Sequence, residues 1–175
     1  MTSRHQPVLA AMLRLTLVRH AKTEPAHDGQ EDWDRVLEAR GQRDAPEMGR
    51  RLKQQHRKPD KVLSSPAVRA IATASIMARE LGVPARTIVQ DERLYLASPK
   101  EMLQVIHELG GDATHLMVVG HNPGITEFAD RVSRERSIDN MPTGAVYSLE
   151  FDIAAWSELS WASGSNAEFD YPKKQ

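Results

Sequence analysis

No cysteine occurs in the 175 residues. Disulfides, thiolate nucleophiles and Cys-ligated zinc or iron–sulfur sites are thereby excluded, and a cytoplasmic location is the expectation. Charge of one sign is also lacking. With 23 Lys and Arg against 24 Asp and Glu, the formal net charge is −1. Bulk attraction to nucleic acid or to an anionic membrane surface is not expected. No apolar run approaches the length of a membrane span. There is no Asp-rich triplet, no His-Glu-x-x-His and no Cys/His spacing, so no metal or other cofactor is implied. Internal repeats and low-complexity tracts are absent too.

What is present is a single domain's worth of chain with 40% apolar residues and 27% charged ones, enough for a real core. Residues 1–13 read as a flexible leader, its Val8–Leu13 run being shorter than a secretory apolar segment. Met12 is a candidate physiological start. Residues 14–175 read as one domain in which strand-like and helix-like segments alternate, the pattern of an α/β layer fold. Strands are expected at Arg14–Val18, Lys61–Leu63, Arg86–Gln90, His115–Val119 and Ala145–Phe151, with a weaker one near Ala167–Tyr171. Leu15–Val18 and Leu116–Val119 are continuous apolar runs that suit strands covered on both faces. Tyr147, Leu149 and Phe151 alternate with Ser148 and Glu150, which suits an edge strand exposed on one side.

Helix starts are marked by Ser65-Pro66, Ser98-Pro99 and Asn122-Pro123, each a capping residue ahead of proline. Ser98 with Glu101 reads as a capping box. The helix after Ser65 is expected to bury Val68, Ile71, Ser75, Ala78 and Leu81. The next buries Met102, Ile106 and Leu109, and the one after Asn122 buries Ile125, Phe128, Ala129 and Val132. An earlier helix spans about Ala45–Gln55, with Pro46 at its start or kinking it. Residues 22–42 and 133–143 read as loops, and loops that long are often functional. Trp156 and Trp161 read as packing residues. His5, His27, His56, His107 and His115 carry no assigned chemistry.

Three apolar runs stop at chemistry. Leu15–Val18 ends in Arg19-His20; Val62-Leu63 leads into Ser64-Ser65-Pro66, with Arg69 just beyond; Leu116–Val119 ends in Gly120-His121-Asn122-Pro123. In an open α/β sheet, ligands bind beyond the carboxyl ends of the strands. If these strands are parallel neighbours, two guanidinium groups, two imidazoles and two helix N-termini face one cavity. That set fits an anion, and guanidinium matches phosphate with paired hydrogen bonds. Phosphoryl transfer needs its charge stabilised, and these cations can replace a metal. One histidine would then be the nucleophile, kept neutral by the nearby arginines and oriented by a backbone carbonyl.

Leu17–Lys22, Ser64–Ala70 with Thr73, and Val119–Gly124 together resemble the three motifs of the histidine phosphatase superfamily, in particular its small SixA-like phosphohistidine phosphatase branch. Ala39-Arg40-Gly41, Leu94–Pro99 and Pro142–Ala145 add to the likeness, which spans about residues 14–171. The resemblance implies a phosphoglycerate-mutase-like fold, a three-layer α/β/α sandwich with a mixed, mostly parallel sheet. It implies His20 as the phosphorylated nucleophile, Arg19 and Arg69 as the phosphate clamp, and His121 as a donor to the phosphoryl group. Glu92 is the positional match for the proton donor, against the plainer reading of Asp91-Glu92-Arg93 as a solvated turn. Ala21 stands where the wider superfamily usually has glycine.

The partner expected is a protein phosphorylated on histidine, of the phosphotransfer type, or a small phosphorylated molecule. The alternatives are a small-molecule phosphomonoesterase using Glu92, or a catalytically silent phosphate-binding module. Lys22, Arg40, Thr143 and Gly144 read as pocket wall or as ordinary surface and turn residues.

Overall fold

The computed structural model describes residues 12–135 and 138–174. The leader expected over 1–13 lies outside the described residues except for Met12 and Leu13, and Leu13 already opens the first strand. In chain order the elements are β1 (Leu13–Arg19), α1 (Ala39–Gln54), β2 (Lys61–Ser64), α2 (Val68–Leu81), β3 (Ile88–Gln90), α3 (Pro99–Leu109), β4 (His115–Gly120), α4 (Gly124–Val132), β5 (Val146–Phe151) and β6 (Ser165–Asp170). The strands form one sheet in the order β3-β2-β4-β1-β5-β6. The first four are mutually parallel, while β5 runs antiparallel to both β1 and β6. The sheet is mixed and mostly parallel, as expected.

Period-two alternation sends each strand's residues to two different cores. Leu13, Leu15 and Leu17 of β1 join Leu116 and Val118 of β4 beneath α3 and α4. Val18, Val62, Met117 and Val119 face the other way, against α1 and α2. Both faces are covered, which explains why the central strands read as unbroken apolar runs and gives the three-layer sandwich. Trp156 is fully buried on the α3 side, its indole N–H donating to Ala113 O at 2.7 Å. One polar row crosses the sheet, with Thr16 Oγ1 2.8 Å from His115 Nε2 and 3.0 Å from Ser148 Oγ.

Four expectations need correction. Strand β5 is interior and not an edge, because β6 pairs along its outer side and buries Ser148. Helix α1 begins at Ala39 and runs through Pro46, since the face Gly41, Ala45, Met48, Gly49 and Leu52 packs as one stripe. Helix α2 is rotated from the expected face. It buries Ala70, Ala74, Met77, Ala78 and Leu81 together with Arg69 and Thr73, and leaves Val68 37% exposed. Apolar periodicity alone misplaces a helix whose polar residues turn inward for function. Only Ser98 caps as expected, with the full capping box to Glu101. Ser65 and Asn122 lie further from the helix starts, at Val68 and Gly124, and bond elsewhere.

The start of α1 is docked on the chain leaving β1. A Cβ added to Gly41 would stand 2.1 Å from the Lys22 carbonyl oxygen, an atom already accepting from Glu38 N at 3.0 Å. Gly41→Ala is therefore expected to destabilise the fold by about 1–3 kcal/mol through forced backbone displacement. A lowered urea midpoint at unchanged slope is the measurement; an unchanged midpoint would show that the Lys22 segment yields freely.

Candidate active site

Strands β2, β4 and β1 lie side by side and parallel, so their carboxyl ends open together. Arg19 is in register with Gly120, and Ser64 with Val119. His20 N donates to Gly120 O at 3.2 Å and Ser65 N to Val119 O at 3.0 Å, extending each ladder one residue into the loops. From the other side Gly144 N donates to the carbonyls of both Arg19 (3.1 Å) and His20 (3.0 Å). The result is a cavity of about 270 Å³ whose wall includes Arg19, His20, Arg69 and His121. All four residues drawn from the three motifs are brought together.

His20 is 93% buried. Its Nδ1–H donates to Ala21 O at 2.8 Å, which assigns the proton to that nitrogen and leaves Nε2 with a free lone pair. Burial pushes the ring down to about 4, and Arg69, Arg19 and Arg35 push the same way against the Ala21 bond. The His121 ring centroid lies 5.3 Å from that of His20. Its Nε2 is 2.7 Å from Ser65 Oγ, which also accepts from Ala67 N at 3.2 Å just ahead of α2. Burial, then Arg69 and His20, push His121 down to about 3. Both rings are neutral at pH 7.

The arginines are anchored by some of their nitrogens and bare at others. Arg19 Nη1 donates to Met141 O at 2.9 Å; Arg69 donates to Asp32 O (2.6 Å) and Asp32 Oδ2 (2.9 Å). Among the described residues, the buried side-chain nitrogens without a hydrogen-bond partner are Arg19 Nε, Arg69 Nε and His121 Nδ1. Bare buried polar atoms are uncommon in native folds, and all three belong to this one cavity. A larger cavity of about 700 Å³ opens between α1 and β6, but its arginines are paired, Arg51 with Asp170 and Arg57 with Glu168, and Lys174 Nζ donates to Phe169 O at 2.7 Å.

The family model for the histidine phosphatase superfamily (branch 1) matches residues 15–95. An uncharacterised protein of Mycobacterium tuberculosis is 32% identical over 165 residues, spanning 89% of this chain and all of the relative. A candidate phosphohistidine phosphatase SixA from Nakamurella multipartitia superposes with a TM-score of 0.80 at 25% identity, covering 94% of this chain and 99% of that one. A further candidate SixA, from Agrobacterium tumefaciens, gives 0.73 at 28% identity over 79% and 92%. The chain belongs to the histidine phosphatase superfamily. Within it the chain is SixA-like, and it is a phosphatase.

This phosphatase carries its cavity carboxylate where sequence reasoning did not look. Asp32 sits in the segment 22–42 read as a loop, at the start of a one-turn 3-10 helix over Asp32–Asp34. It accepts from Tyr95 Oη at 2.5 Å, from Arg69 and from Arg35 Nη1 at 3.2 Å. The Tyr95 bond, joined by those of Arg69 and Arg35, holds it down at about 2 despite partial burial. Tyr95 in turn meets His121 edge-on at 5.5 Å and packs on Trp33 at 4.6 Å between ring centroids. The available signal was Asp32-Trp33-Asp34-Arg35 itself, an aromatic and paired charges inside a polar loop.

Glu92 is placed elsewhere. It opens another 3-10 turn, over Glu92–Leu94, with its side chain exposed, and it does not line the cavity. Lys22 and Thr143 do line it; Arg40 instead pairs with Asp44 at 3.4 Å. Asn122 reaches the rim as a brace, its Nδ2 donating to Asn140 Oδ1 (2.9 Å) and Met141 O (3.2 Å). Met141 O thus serves both Asn122 and Arg19.

The depressed imidazoles have a consequence in acid. His20, His115 and His121 have folded values of about 4, 4 and 3, below the ordinary 6.5. As pH falls below 6.5 the unfolded chain binds protons that the folded chain refuses, so stability declines with acid from 6.5 down to about 3. Urea midpoints are expected to drop between pH 7 and pH 5, and the His20 ring, followed by NMR, to stay neutral through pH 5. A His20 midpoint near 6.5 would overturn the assignment of a desolvated, lone-pair Nε2.

Proposed function

We propose that this phosphatase hydrolyses phosphohistidine on a partner protein through a covalent intermediate on His20. The observation that carries the reading is the set of bare nitrogens on Arg19, Arg69 and His121 around a neutral imidazole. Phosphoryl transfer asks the protein mainly for position and for charge stabilisation on the equatorial oxygens. Arg19 and Arg69 would grip those oxygens, and His121 Nδ1 would donate to one of them. The Nε2 lone pair of His20 would attack phosphorus in line. The P–N bond to the substrate ring breaks as the P–Nε2 bond forms, and the ring, protonated on its second nitrogen, leaves as neutral imidazole. Water then attacks the phosphoenzyme, releasing inorganic phosphate and restoring neutral His20.

The leaving group decides the substrate class. An alcohol leaves poorly without a proton donor, whereas a phosphohistidine ring already protonated on its second nitrogen departs as neutral imidazole, whose conjugate acid has a pKa of ~6.5, and needs little help. The cavity carboxylate, Asp32, is held ionised and cannot donate at neutral pH, and Glu92 stands outside the cavity. An ionised carboxylate also favours the positive charge that the protonated substrate ring carries before the P–N bond breaks. The resemblance to proteins described as phosphohistidine phosphatases supports the same choice. A small phosphomonoester handled by Glu92 finds no comparable support in the geometry. The partner in this reading is a protein phosphorylated on histidine, such as a phosphotransfer domain.

His20→Ala is expected to abolish turnover and acid-labile phosphate incorporation in a rapid quench; retained labelling would refute the nucleophile. Turnover of a phosphohistidine peptide should exceed that of sugar phosphates, and Glu92→Gln should leave both within about twofold of the parent. A loss confined to the esters on Glu92→Gln would restore Glu92 as donor and the phosphomonoesterase reading.

A further inference from the structure

We infer that Thr73 is a positioning residue whose hydroxyl locks the nucleophile and the phosphate clamp into one frame; this rests on the His20 reading above. Thr73 is fully buried on α2 and lies outside the cavity wall. Its Oγ1 accepts from Ala21 N at 2.9 Å and donates to Arg69 O at 2.8 Å. The second bond alone is unremarkable, since helical threonines often bond back to the carbonyl four residues earlier. The first is different. It crosses 52 residues to the turn that follows β1.

Ala21 is fully buried, and both of its main-chain polar groups are committed. Its C=O holds His20 Nδ1 at 2.8 Å, and its N–H ends on Thr73. A continuous chain therefore runs from the His20 ring through Ala21 and Thr73 to the backbone of Arg69. A hydroxyl can serve both ends because it offers one donor and two acceptor sites. No apolar side chain of that size can replace it.

The same arrangement assigns the effect. The chain touches the orientation of the His20 ring and the seat of Arg69, not the atoms that meet substrate. Losing it would loosen the attack geometry, to which rate is steeply sensitive, while leaving the charges that bind phosphate in place. Affinity would change little and the chemical step much.

The test compares Thr73→Val, which removes the hydroxyl at similar volume, with Thr73→Ser, which keeps it. Acid-labile labelling is followed in single turnover with a phosphohistidine peptide, with KM measured alongside and the His20 tautomer read by 15N NMR. Thr73→Val should slow labelling by about 10- to 100-fold with KM within about threefold, and its His20 ring should become a mixture of tautomers. Thr73→Ser should label within about threefold of the parent and keep the Nδ1–H form. If Thr73→Val does not fold, Thr73→Ala carries the same expectations.

Labelling of Thr73→Val at the parent rate would overturn the inference. So would a Thr73→Ser as slow as the Val variant, slow labelling with the tautomer unmoved, or failure of both hydroxyl-free variants to fold. A parent enzyme that turns over without acid-labile phosphate would instead sink the phosphoenzyme reading, and the tautomer comparison would still decide the positioning role.

Discussion

Strands β1 and β4 pair in parallel with Arg19 opposite Gly120, and that register governs everything beyond it. Both chains leave the sheet at the same level, so the next residues, His20 and His121, emerge as neighbours with ring centroids 5.3 Å apart. A slip of one residue would turn the apolar set of a strand onto the wrong face and separate the rings as well. The two cores therefore protect the site. Leu15, Leu17, Leu116 and Val118 cannot move to the α1–α2 side without exchanging places with Val18, Met117 and Val119. The site's geometry is held by the packing of residues that never meet substrate.

Around that pair the electrostatics follow one logic. Burial, and after it the neighbouring arginines, disfavours positive charge on the rings, so both imidazoles are neutral and His20 keeps the lone pair of its Nε2 uncommitted. The guanidinium groups are themselves steadied by carbonyls and by Asp32, which uses two nitrogens of Arg69 and leaves the third bare. A cation held this way is directed without being neutralised at the face that matters. Asp32 is held by Tyr95, and Tyr95 borders His121, so the acidic loop and the basic motifs form one connected network. Preorganised donors of this kind are what phosphoryl transfer asks of a protein.

Much of this was legible along the chain because the central strands are short, apolar on both sides and terminated by charged residues. The alternation of segments, the Ser98 capping box, the core face of α4 and the strand positions could be read locally, except that Arg86 and Thr87, expected in β3, belong to a 3-10 turn ahead of it. Other features could not. The face of α2 was misjudged because Arg69 and Thr73 are polar residues buried for the site, and apolar periodicity treats such residues as surface. The interior place of β5 depended on β6 coming back to cover it. The start of α1 depended on the room that Gly41, with no Cβ, leaves for the Lys22 carbonyl. Asp32 was hard to single out because its neighbours Trp33, Asp34 and Arg35 mark a polar, aromatic-bearing turn and no more; the partners that place it in the cavity, Arg69 and Tyr95, lie 37 and 63 residues away.

The sequence by itself determined the layer architecture, the absence of thiol chemistry, and the identity of the two arginines and two histidines. These follow from residue type and short-range pattern, which need no knowledge of neighbours in space. Tertiary structure alone decided which carboxylate shares the cavity, which nitrogens stay bare, which proton His20 carries and which hydroxyl links it to Arg69. Each of those is a contact between distant segments, and hydrogen bonds and desolvation act over a few ångströms of space whatever the separation along the chain.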